Sequence, residues 1–167
     1  MTYERFEDLP VWSAAIELGL GVFALTDERI FGSSGGIKDQ IRRAAVSVSN
    51  NIAEGFERGS TNELLAYLYI ARGSAGEVRS MLRFLTRWPE SSHLNSQVSN
   101  LIILAESCSR QIRGWADSLQ NSDIKGPRHL NDHTRAKYQG RKRADAFREQ
   151  LASLTSHIRP PVEEGNA

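Results

Sequence analysis

The side chains best equipped for chemistry lie in one run, QIRRAAVSVSNNIAEG at residues 40–55. At about 100° per residue, Gln40, Arg43, Ser47, Asn51, Glu54 and Arg58 fall on one polar face, opposite an apolar stripe of Ile41, Ala45, Val48 and Ile52. Glu54 and Arg58 have the i,i+4 spacing of a helical ion pair. An ordinary solvated face is built from Lys and Glu. Gln, Ser and Asn are poorer helix formers and better hydrogen bonders, so this face is either a surface for a ligand or partner, or a polar network joining helices or subunits. The network has the stronger claim, because buried networks must be fully satisfied and so favour fixed partners. A second run, ARGSAGE at residues 71–77, holds four consecutive small residues before an acid. Glycine inside a helix costs about 1 kcal/mol relative to alanine, so Gly73 and Gly76 predict a close approach by a neighbouring helix. Glu77 is then expected to pair with Arg43 or Arg42.

Other motifs fail on context. Gly19-Leu20-Gly21-Val22-Phe23-Ala24 fits the dinucleotide pattern G-x-G-x-x-A, but it sits inside a helical stripe and not at a strand-to-helix turn. Small residues for close helix packing explain it better. GSSGGIK at 32–38 is not a phosphate loop, because Ile37 stands where the second glycine belongs and Asp39 where Ser or Thr belongs. His129 and His133 are spaced as a helical metal pair, yet Leu130 replaces the acid that follows the first histidine of zinc proteases. The lone cysteine, Cys108, lies on an apolar stripe and reads as an inert buried thiol. No nucleophile–base arrangement is legible, so no cofactor, metal or small-molecule substrate is expected, and the protein reads as non-enzymatic.

These residues need helices to position them. The five prolines, at 10, 89, 127, 160 and 161, all fall where an element starts or stops. Between them four long helices are predicted, at about 9–26, 37–58, 60–88 and 91–120. The first carries two apolar stripes, Trp12, Ile16, Leu20 and Phe23 beside Val11, Ala15, Leu18, Val22 and Leu25, leaving a narrow polar sector near Ser13 and Glu17. Ser60 and Glu63 form a capping box at the start of the third. Ser91 or Ser92 is expected to cap the fourth. The fold class is all-α: an antiparallel up-down four-helix bundle over 1–120, followed by a basic C-terminal tail of low order over 121–167, with a short conditional helix near 141–158.

The 167 residues carry a net charge of +1, which argues against a uniformly basic nucleic-acid protein. The distribution is uneven: residues 1–120 hold 12 Lys/Arg against 14 Asp/Glu, and residues 121–167 hold 9 against 6. Lys125, Arg128, Arg135, Lys137, Arg141, Lys142 and Arg143 are therefore the candidate phosphate contacts. No span long enough for a membrane is present, the acidic N-terminus is no secretory signal, and a single cysteine suits a reducing compartment; a cytoplasmic protein is expected.

Two segments, 64–71 and 101–105, are apolar around most of the helix. A lone bundle buries one stripe per helix, so the surplus predicts self-association through Tyr69, Ile70, Phe84 and Ile103. Finally, FEDLPVW at 6–12, QIRRAAVSVSNNIAEG at 40–55 and IARGSAGEV at 70–78 resemble the four-helix-bundle proteins encoded in intervening sequences of large-subunit (23S) ribosomal RNA genes, a family related to the accessory variability determinants of diversity-generating retroelements. The resemblance covers about residues 3–120. It implies a ring-shaped homopentamer without established catalysis, and in the retroelement relatives a strongly basic assembly that works with a reverse transcriptase and nucleic acid. The acidic balance of 1–120 departs from that last property. A non-enzymatic homo-oligomeric scaffold or adaptor for a protein or RNA partner is the leading expectation. A nucleic-acid-binding accessory protein acting through the tail is the alternative.

Overall fold

The structure, a computed structural model, describes residues 3–32, 35–121, 140 and 143–153. Among these residues the protein is helical and no β-strand forms. The chain divides into two compact units, Met1–Arg128 and His129–Ala167.

The first unit contains four long helices: α1 (Pro10–Thr26), α2 (Gly35–Glu57), α3 (Thr61–Leu85) and α4 (Asn95–Gln120). Pro10 opens α1, where its missing N–H would be unsatisfied anyway. Ser60 caps α3: its hydroxyl oxygen accepts the Glu63 N–H at 3.3 Å, and the hydroxyl donates to the Glu63 carboxylate at 2.6 Å. This leaves fewer orphan donors at the helix start. α3 stops at Leu85, earlier than its hydropathy pattern predicts, and a 3-10 turn, Pro89–Leu94, leads into α4. Ser91 does not cap α4. It is buried, and its hydroxyl bonds the carbonyls of Leu85 and of Trp88, the latter at 2.8 Å. The hydroxyl thus satisfies carbonyls left over at the end of α3, and α4 begins after Leu94 with no side-chain cap.

α2 packs on α3, α3 on α4, and α1 on both α2 and α4. Two apolar clusters make the core. One centres on Leu18, Val22, Phe31, Ile41, Leu82, Val98 and Cys108. The other centres on Val11, Val48, Ile52, Leu64, Leu68 and Ile112. All four helices contribute to each, so neither cluster survives loss of one helix. Of the two stripes on α1, Val11, Ala15, Leu18, Val22 and Leu25 are buried, whereas Leu20 is 68% exposed and Phe23 39%.

The close helix contacts are not where the small-residue run predicts. A Cβ added at Gly73 or Gly76 would meet nothing within 4 Å. One added at Gly55 would lie 2.7 Å from Tyr67 Cβ and 3.3 Å from the Leu64 carbonyl, and one at Gly21 would lie 2.5 Å from Leu101 Cδ2. The tight α2–α3 approach is therefore made by Gly55, and the α1–α4 approach by Gly21. Gly73 and Gly76 turn away from the buried face of α3, so among the described residues they shorten no contact. In the second unit residues 143–153 are helical, and Phe147 and Leu151 are exposed.

Candidate functional site

The polar face of α2 meets α3 along a seam of hydrogen bonds. Gln40 Nε2 donates to the Glu77 carboxylate at 3.1 Å. About two turns along α2, the Ser47 and Ser74 hydroxyls bond each other at 2.9 Å. Asn51 Nδ2 donates to the Ser47 carbonyl at 2.7 Å and to its hydroxyl at 2.9 Å. Nearer the C-terminus of α2, Tyr67 donates to Glu54 at 2.7 Å, and Arg58 donates to Glu54 and, at 2.8 Å, to Tyr67. The Tyr67 hydroxyl, with Arg58 beside it, holds the Glu54 carboxyl below its ordinary range, and the same bond to Glu54 raises the Tyr67 phenol. Among the described residues these serine hydroxyls face an amide, a backbone carbonyl and each other. The seam fastens α2 to α3.

Glu77 bonds neither arginine. Arg42 points to the other side of α2, where its guanidinium meets Asp27 at 2.6 Å, donates to Thr26 Oγ1 at 2.7 Å and to the Phe23 carbonyl at 3.3 Å, and lies 4.6 Å from the Phe23 ring centroid. It thereby closes the C-terminal end of α1, the end that favours a cation. Lys38 adds a second cation 3.6 Å from Asp27, and Arg42 before Lys38 lowers the Asp27 carboxyl. Arg43 is exposed and makes no hydrogen bond or ion pair among the described residues. It stands between two open grooves. One, about 430 Å³, is lined by Phe23, Arg42, Arg43, Val46, Ser47, Asn50 and Asn51. The other, about 300 Å³, is lined by Gln40, Arg43, Ala44, Ser47 and Glu77.

The family model described as 23S rRNA-intervening sequence protein matches residues 7–114. The chain belongs to this family. No curated protein matches it. The match takes in α1, α2, α3 and most of α4, and so contains the whole seam and both grooves of this intervening-sequence protein.

Of the polar residues singled out from the sequence, the structure joins Gln40 to Glu77, Ser47 to Asn51 and Glu54 to Arg58, and leaves Arg43 apart. Tyr67 and Ser74 complete the seam and were hidden in the sequence, one inside an apolar run and the other inside a run of small residues. Tyr69, Ile70, Phe84 and Ile103 are exposed by 45%, 52%, 53% and 63%. The Tyr69 hydroxyl accepts a bond from Gln120 at 2.6 Å. Leu20, Phe23 and Val46 are exposed as well; the first two follow helical spacing on α1 and are a signal the sequence does carry. Cys108 is buried, which pushes its thiol up to about 11. Among the described residues no three His, Cys, Asp or Glu side chains cluster, and no helix is long and apolar enough to cross a membrane. Arg143 is exposed. Lys125, Arg128, Arg135, Lys137, Arg141 and Lys142, together with His129 and His133, lie outside the described residues.

Proposed function

We propose that this intervening-sequence protein is a non-enzymatic homo-oligomeric scaffold or adaptor, built on an antiparallel up-down four-helix bundle and acting in the cytoplasm. The bundle reading is supported by the cross-helix bonds. Positions 40, 47 and 54 on α2 meet 77, 74 and 67 on α3, so one series rises as the other falls. On α3 and α4, Arg83 meets Glu106 and Tyr69 meets Gln120 in the same sense.

The observation that carries the oligomer is the exposure of large apolar side chains on α3 and α4. Ile70 and Phe84 stand fourteen residues apart on one row of α3, and both are more than half exposed. Large exposed apolar side chains such as these are candidates for association sites. A closed ring follows the family resemblance, with five copies as the expected number, and kinship with the retroelement accessory proteins belongs to the same reading. Light scattering on the full chain at micromolar concentration tests it. The expected mass is a multiple of 18.6 kDa, and a mass of one chain overturns it.

A second reading draws on the charge of residues 121–167, 9 Lys/Arg against 6 Asp/Glu. The family name points to ribosomal RNA genes, and a basic segment gives a salt-dependent grip on phosphate. Binding of a short RNA that weakens steeply with salt supports this reading; no binding at low salt removes it.

A further inference from the structure

We propose that the groove between α1 and α2 docks an acidic, apolar segment of another protein, with an apolar side chain against Phe23 and Val46 and a carboxylate on Arg43. The inference rests on the adaptor reading above and names the class of partner.

Charge is the first reason. Arg43 lines the groove and makes no ion pair among the described residues, while the Asp27 and Glu54 carboxylates are paired with other cations. Asp27 is held by Arg42 and Lys38, Glu77 by Gln40, and Glu54 by Tyr67 and Arg58. Asp39, one turn before Arg43, forms no ion pair with it. A carboxylate from another molecule would give Arg43 the ion pair it lacks among the described residues. Arg is also the side chain that grips a carboxylate with two parallel bonds.

Shape is the second reason. Phe23 and Val46 are about two-fifths exposed, and Arg42 covers one face of the Phe23 ring. Asn50, also lining the groove, is exposed and makes no hydrogen bond among the described residues, so its amide is free for a segment's backbone. The volume of about 430 Å³ falls within the size of ligand sites, but the groove is open along one side. A length of chain fits that shape better than a small molecule that must be enclosed. Nucleic acid fits worse, since phosphate affinity accumulates over many cations and Arg43 is a single free one here. A second copy is disfavoured because the surface assigned above to self-association lies on α3 and α4.

The test uses the full chain and a random dodecapeptide library displayed on phage, followed by fluorescence anisotropy with a synthetic selected peptide. The expected binders carry Asp or Glu within one turn of Leu, Ile, Phe or Trp. Arg43→Glu should weaken binding by about tenfold or more, Arg43→Lys should fall between it and the native chain because it keeps the charge and loses the second bond, and a peptide with its acids changed to Lys should bind Arg43→Glu better than the native chain. Phe23→Ala should weaken binding on its own. Each of four results overturns the proposal: no binders, binders without acids, equal binding by Arg43→Glu, or displacement of the peptide by a short RNA. A smaller oligomer for Arg43→Glu in sedimentation velocity would assign the groove to a second copy and also overturn it. A monomeric native chain that still binds the peptide refutes only the oligomer, so the two failures are distinct.

Discussion

Both sides of α2 are polar at the rim, but they are finished differently. On the side facing α3, Gln40, Ser47, Asn51, Glu54 and Arg58 all find partners within the chain. On the side facing α1, Arg42 is saturated by Thr26, Asp27 and Phe23, yet beside it Arg43 and Asn50 make no bond among the described residues, and Phe23 and Val46 stay about two-fifths exposed. A seam whose bonds close on themselves holds a fold. A groove whose bonds and apolar surface stay open is free to meet something else. Residue type alone does not separate the two cases, since Arg42 and Arg43 are neighbours in sequence.

The contrast can be broken most severely at Gly55. Gly55→Ala puts a methyl against Tyr67 and the Leu64 carbonyl, and should cost about 1–3 kcal/mol in urea unfolding as an overpacked contact. Unchanged stability would mean that α2 and α3 are not held so close. Ser47→Ala removes the shared bond with Ser74 and one acceptor of Asn51, with an expected loss of about 1 kcal/mol. Gly73→Ala is the opposite case. Its methyl meets open space, so thermal unfolding should shift upward, by up to about 1 kcal/mol from helix propensity. A lower melting temperature would place Gly73 in a contact made by another molecule.

Acid sharpens the same contrast. Glu54 is held below its ordinary value of 4.5 by Tyr67 and Arg58. A lowered folded pKa gives stability that is present above 4.5 and is lost as pH falls through the folded value. Tyr67→Phe should reduce that loss in an acid titration followed by circular dichroism, and an identical profile would show that the phenol does not act on Glu54. The smallest effect is expected from Arg43→Ala, which should change stability by no more than about 0.5 kcal/mol, as for surface residues without partners.

Much of this was legible in the sequence because it depends on neighbours along the helix. The Ser60 cap and the buried stripes of α2, α3 and α4 follow from spacings of three and four residues. What was not legible depends on direction. Ser91 looks like a cap for the helix after it, and only its depth against Leu85 and Trp88 shows that it serves the helix before it. Glycine marks either a close contact or bare surface, and spacing cannot tell Gly55 from Gly73. Leu20 and Leu18 are equally apolar, but α1 lies against α2 and α4 and so turns only one of them inward. Gln40 took the Glu77 carboxylate because it lies on the α3 side of α2, whereas Arg42 faces α1.

The claim that most depends on another molecule is self-association through α3 and α4. Sedimentation equilibrium of the full chain, alongside Ile70→Asp combined with Phe84→Asp, tests it directly, with Phe23→Asp as the groove control. The native chain and the groove variant should sediment as the same oligomer, and the double variant as a folded monomer. A native chain that sediments as a single copy, or a double variant that assembles as before, would contradict the account.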